Sequence, residues 1–148
     1  MSELQLRRRI LGIDLGRARI GVAVSDELGL LAHPLETIPA SNDAPRRIAE
    51  LVREKNAECV VIGLPRHMNG TVGESGADAL AFAKKLQALS SCKVVMWDER
   101  LTTLAANRAL RDSGRKTRDT RQLVDQVAAQ MILQGYLDSA QANMAGDS

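Results

Sequence analysis

An α/β fold built on a mixed sheet follows from two observations along this 148-residue chain. A hairpin pattern comes first, with apolar runs at 8–15 and 19–25 on either side of Gly16-Arg17-Ala18. Strand-like runs then alternate with helical spacing. A hairpin makes antiparallel neighbours and strand–helix–strand units make parallel ones, so five strands form a mixed sheet flanked by helices.

Residues 8–15 read as a strand ending at Gly16. Residues 19–25 alternate cleanly, with Ile20, Val22 and Val24 against Arg19, Gly21, Ala23 and Ser25. A weaker third strand lies within 29–38, where Pro34 restricts it to an edge or a bulge. Ile48, Leu51 and Val52 have helical spacing, with Ser41, Asn42 or Asp43 as N-cap and Pro45 in the first turn. Residues 59–64 are continuously apolar, as a strand buried on both faces requires. A helix is expected over 74–89, a fifth strand over 94–97 and a helix from Leu101 to Leu110. A Gly- and Arg-rich loop follows from Ser113 to Thr120, and a last helix over about 121–138.

The composition, 45% hydrophobic and 26% charged, is that of an ordinary folded domain. We expect one domain over 1–138 and a small, polar, disordered tail over 139–148. Neither a membrane span nor an export signal is indicated, so the expected compartment is the cytoplasm. Cys59 and Cys92 are too few for a disulfide framework or a zinc site and read as reduced thiols. The net charge is only +2, yet seven basic residues and only two acidic ones, Asp112 and Asp119, lie between Arg100 and Arg121. Such a patch attracts phosphate, or it is simply a solvated face. Arg100, Arg115, Lys116, Arg118 and Arg121 are the phosphate-binding candidates. Phe82, Trp97 and Tyr136 are the only aromatics, which argues against a base-stacking platform.

Three carboxylates stand out by position. Asp14 lies inside an apolar strand and shares its face with Gly12 and Gly16. A strand-interior acid is costly without a partner. A face this bare accepts a metal ion or a closely approaching backbone, unless Asp14 merely ends the strand in a turn. Glu99 follows the fifth strand, at the end where α/β sheets place ligands, although an acid there also suits a helix N-terminus. Asp125 borders the apolar stripe of the last helix beside Ala128 and Ala129, which permit close packing on the sheet. It is either an inward-leaning ligand or a solvated acid. Three carboxylates with no Cys or His cluster suit Mg2+ or Mn2+ and metal-assisted phosphodiester cleavage.

Four segments carry a resemblance. Gly12-Ile-Asp-Leu-Gly-Arg-Ala-Arg-Ile-Gly-Val-Ala-Val-Ser-Asp26, Ile62-Gly-Leu-Pro-Arg-His-Met-Asn-Gly-Thr71, Asp98-Glu-Arg-Leu-Thr-Thr103 and Val124-Asp-Gln-Val-Ala-Ala-Gln-Met-Ile-Leu133 resemble, in order, the motifs of the YqgF family, also called RuvX. The resemblance covers about residues 10 to 138. It implies a ribonuclease-H-like fold and a nuclease that processes the 5′ end of precursor 16S rRNA. Similarity to RuvC supports an older reading as a Holliday junction resolvase. The family's acidic residues map onto Asp14, Glu99 and Asp125, as both catalytic and metal-binding groups. Arg17-Ala18 stands where relatives often carry Thr-Lys, so Arg17 or Arg19 would have to replace the lysine at the phosphate. His67 stands where relatives often have Asn. The loop from Gly63 to Thr71, which carries Arg66, is either a phosphate-binding turn or a plain strand–helix connection.

The expected function is thus a cytoplasmic Mg2+- or Mn2+-dependent nuclease acting on structured RNA, as a monomer or homodimer. The alternatives are a resolvase acting on branched four-way DNA and a non-catalytic RNA- or ribosome-binding module. Gly12-Ile-Asp-Leu-Gly also resembles the first phosphate motif of actin-like ATPases, but those bind ATP between two such domains, and one domain cannot build that cleft.

Overall fold

The structure, a computed structural model, describes residues 9–101 and 118–146, with side chains from 118–123 and 144–146 excluded. It contains β1 (Arg9–Leu15), β2 (Arg19–Ser25), β3 (Ala32–Pro39), α1 (Ala44–Glu54), β4 (Ala57–Leu64), α2 (Glu74–Leu89), β5 (Lys93–Asp98) and α3 (Arg118–Gly146). A 3-10 turn, Glu99–Leu101, follows β5. The sheet order is β3-β2-β1-β4-β5. β1 pairs antiparallel with β2 and parallel with β4, so the expected mixed sheet is what the chain forms.

The hairpin closes through the Gly16 N–H, which donates to the Arg19 carbonyl at 2.9 Å. β3 is an edge strand, and its register with β2 shifts opposite Pro34, because proline has no N–H for the ladder. α1 starts at Asp43, which caps by position although its side chain makes no capping hydrogen bond. Pro45 occupies the first turn, where a missing N–H costs nothing. β4 runs two residues further back than expected, to Ala57, and is buried on both faces.

Two clusters of apolar side chains sandwich the sheet. Leu11, Ile13, Val60 and Ile62 face α1 and α2, through Ile48, Leu51, Phe82 and Leu86. Ala23, Cys59 and Val61 face α3, through Ala128, Ala129, Ile132, Leu133 and Leu137. Strand alternation sends neighbouring residues to opposite faces, and this places Asp14 on the α3 side.

Two expectations at the chain's end change. α3 begins at Arg118, inside the segment read as loop, and it runs to Gly146, through most of the segment read as a disordered tail. Ala140, Gln141, Ala142 and Met144 are good helix formers. Gln134 and Gln141 also donate to the carbonyls of Leu30 and Gly29, which ties this end of α3 to the β2–β3 turn. The helix expected to Leu110 lies outside the described residues beyond Leu101, as does the loop over 113–117. Among the described residues, no helix is long and apolar enough to cross a membrane.

Candidate active site

Three glycines open the sheet face beneath α3. A methyl group on Gly12 would lie 2.6 Å from Leu133 Cβ and 3.0 Å from the Ala129 carbonyl oxygen. One on Gly21 would collide with the Asp125 carbonyl. One on Gly63 would lie 2.6 Å from both Glu99 Oε2 and Ile132 Cδ1. Since contacts this short between a real Cβ and its neighbours are repulsive, only glycine lets the helix and the Glu99 side chain sit so low. The bare face expected around Asp14 is thus filled by a closely approaching helix backbone.

This packing sets the Asp125 backbone over Gly21 and the Glu99 carboxylate over Gly63. Asp14 pairs with Gly21, over which the Asp125 backbone lies. On its other side β1 runs parallel to β4 as far as Ile13 and Ile62, and the next residue of β4, Gly63, lies under the Glu99 carboxylate. Asp14 is 1% exposed, Asp125 4% and Glu99 9%, so all three carboxylates have left bulk water. None lacks a polar or charged partner. For Asp125 one partner is Arg19, whose Nε donates to Oδ2 at 2.7 Å.

Hard, all-oxygen donors of this kind suit Mg2+ or Mn2+. The spacing is not that of a finished cage. Among the described residues, no three acidic, imidazole or thiol side chains are grouped closely enough to hold a metal ion. Arg19 also occupies an oxygen of Asp125. The donor chemistry fits a dication.

The basic candidates separate into groups. Arg19 lies in the acidic site. Arg17 lines a cavity of about 180 Å³ with Leu15, Ser41, Ser75, Asp78 and Phe82, against α1 and α2. Arg66 and Arg100 converge on Asp98, at 3.8 Å and 2.7 Å. Arg115 and Lys116 lie outside the described residues, as do the side chains of Arg118 and Arg121. His67 is a loop residue, with its N–H donating to the Thr71 carbonyl and its ring against Gly73. Sequence reading overlooked Asp98, although its position beside Arg100 was visible. The hydrogen bond from Arg100 holds the Asp98 carboxyl below its ordinary range. Behind the site, Trp97 meets Tyr136 edge-on, with centroids 6.2 Å apart. Burial pushes the nearby Cys59 thiol up to about 11.

A mixed sheet of this order, with a long helix laid over its acidic face, defines a ribonuclease-H-like α/β protein. Solved structures share the arrangement. Thermus thermophilus RuvC with a Holliday junction substrate superposes at a TM-score of 0.54, with 14% identity over 90% of this chain and 96% of that one. Fowlpox virus resolvase with Holliday junction DNA does so at 0.55, with 14% identity over 89% and 98%. At such identities the likeness is one of fold. Sequence takes the assignment further. The profile of the RuvX family, described as Holliday junction resolvase, matches residues 8–139, and the chain belongs to that family of nucleases. A Nocardia farcinica relative is 49% identical over 93% of this chain and 82% of its own length. One from Acetivibrio thermocellus is 48% identical over 88% and 96%. Both carry the provisional name pre-16S rRNA nuclease. The expected family, fold and enzyme class therefore hold.

Proposed function

We propose that this nuclease trims the 5′ end of precursor 16S rRNA in the cytoplasm, with Asp14, Glu99 and Asp125 as its catalytic acids and Mg2+ or Mn2+ as cofactor. The names of the relatives support the substrate. The observation that carries the site is the burial of three carboxylates on one sheet face, under a helix that glycine allows to come close. Burying three acids is costly and adds nothing to a core, so they are retained for chemistry.

When bound, a divalent ion would supply an activated water and neutralise charge on the leaving oxygen. The chain's own residues do the rest. Asp14 is held in the β1–β2 ladder opposite Gly21. Asp125 is oriented by Arg19 Nε. Glu99 is positioned at the end of β5 by the turn that follows it. Arg66 and Arg100 present positive charge to the phosphodiester backbone at the same end of the sheet. Arg115, Lys116, Arg118 and Arg121, from the basic segment of the sequence, and Arg17 are the further candidates for phosphate contact.

The test is a cleavage assay with Mg2+ or Mn2+, offering a precursor 16S 5′-leader RNA and a four-way DNA junction side by side. The expected result is cutting of the RNA that Asp14→Asn removes. Cutting of the junction alone would establish the resolvase reading instead. Metal-independent binding of RNA with no cutting of either substrate would leave the chain a binding module.

A further inference from the structure

The two arginines beside the acidic site share one anchor. In parallel register Asp98 lies beside Leu64, so the end of β5 meets the start of the β4–α2 loop, two residues before Arg66. Arg100 approaches from the other direction. Its Nε lies 3.1 Å from both Asp98 oxygens, its Nη2 donates to Oδ2 at 2.7 Å, and its backbone N–H donates to Oδ1 at 3.0 Å. Arg66 Nε stands 3.8 Å from Oδ2, and its Nη1 donates to the Gly70 carbonyl at 3.3 Å. Gly70 has φ +89° and brings the loop against Arg100, whose Nη1 is 3.5 Å from where a Cβ would stand. One guanidinium is thus hydrogen-bonded to the Asp98 carboxylate, and a second, from a separate loop, stands within ion-pair distance of it. The cluster keeps a net positive charge, and both arginines remain about one-third exposed.

We propose that Asp98 is a positioning residue, which locks Arg66 and Arg100 into a two-pronged clamp on consecutive phosphates of the RNA backbone beside Glu99. The inference rests on the RNA reading above. The backbone bond from Arg100 caps the turn, but exposed ion pairs contribute little to stability, so a purely structural role explains the guanidinium contacts of Asp98 poorly. Pre-orienting a guanidinium fork removes ordering that binding would otherwise have to impose. The spare N–H groups of each fork then meet phosphate oxygens, which favour such planar donors.

The two roles open to Asp98 predict opposite signs. As a mere counter-charge it opposes RNA, and its removal would tighten binding. As an anchor it aids RNA, and its removal weakens binding although a negative charge has gone. The experiment measures the affinity of a fluorescein-labelled 5′-leader RNA of precursor 16S rRNA by anisotropy in EDTA, across a salt titration, so that cleavage plays no part. Arg66→Ala and Arg100→Ala should each weaken binding about 3- to 10-fold and lower the salt slope by roughly 0.7. Asp98→Asn should weaken it about 3-fold in the wild-type background and not at all in the Arg66→Ala/Arg100→Ala double variant, because it acts through the two arginines. Thermal melts of all variants should stay within a few degrees of wild type. Tighter binding by the same factor in both backgrounds overturns the proposal. Full affinity and an unchanged slope in Arg66→Ala and Arg100→Ala overturns the clamp and leaves the nuclease standing. Wild-type protein that binds the RNA neither in EDTA nor with Ca2+ in place of the catalytic ion overturns both.

Discussion

Gly21→Ala tests the packing that assembles the acids. The added methyl group would overlap the Asp125 carbonyl and come within 3.1 Å of the Gln126 nitrogen. Both are helix backbone, which cannot rotate aside like a side-chain tip. To reach an ordinary contact of roughly 3.4–4 Å, α3 must lift by more than about 1 Å. Overpacking of this kind costs about 1–3 kcal/mol. In a chain of this length that lowers Tm by roughly 3–10 °C. The greater effect falls on function. Gly21 is the ladder partner of Asp14, so lifting α3 moves Asp125 directly away from Asp14. A displacement near 1 Å costs on the order of 100-fold in rate. Gly29→Ala is the control, because its Cβ would meet nothing within 4 Å. Its φ of +70° still costs about 1 kcal/mol or more, but at the opposite end of β2, so activity should hold. The assays are a thermal melt and single-turnover RNA cleavage. A Gly21→Ala protein that melts within about 1 °C of wild type and cuts at full rate would refute the close approach of α3.

Three other outcomes are expected. Asp14→Asn should lose on the order of 10³-fold or more in cleavage while its melt stays cooperative, since a metal-assisted step is worth several kcal/mol; circular dichroism and cleavage measured together would separate this from unfolding. Arg19→Met removes the 2.7 Å ion pair to a nearly buried carboxylate and should destabilise by about 1–3 kcal/mol in a urea titration, discounted because Arg19 itself is one-third exposed; an unchanged midpoint would show that the pair carries no weight. Cys59 should react slowly with a thiol reagent at neutral pH, and Cys92 faster. Because the folded thiol is raised to about 11, the native state is favoured below the ordinary thiol range near 9, and this contribution fades as pH rises from 9 to 11. A stability difference between wild type and Cys59→Ala that stays flat across that window would contradict it.

Much of the architecture was legible because it depends on local periodicity. The unbroken apolar run at 59–64 leaves one burial solution, and β4 adopts it, whereas β2, which alternates in sequence, is buried on both faces because α3 covers its small residues. Asp14 was conspicuous because an acid between two glycines inside an apolar strand violates the ordinary cost of burial. Glu99 and Asp125 were less so, because each had an innocent local reading as a helix-start acid or a solvated one. Burial of Asp125 to 4% excludes the solvated reading, whereas Glu99, 9% exposed, does open a 3-10 turn. The polar composition of 139–146 misled, because a helix there depends on docking against a turn more than 100 residues earlier.

What the sequence determined by itself is the inventory: the strand and helix periods, the three acids, and the glycines that leave a sheet face bare. The tertiary structure alone decided which groups meet. Arg19 was one of several arginines available for phosphate, yet it is paired with Asp125, 106 positions away. Arg66 and Arg100 looked like unrelated charges until parallel pairing of β4 and β5 placed Asp98 between them. The physical reason is that periodicity and burial cost act on neighbouring residues, whereas an ion pair is set by strand register and by the height of a helix above its sheet.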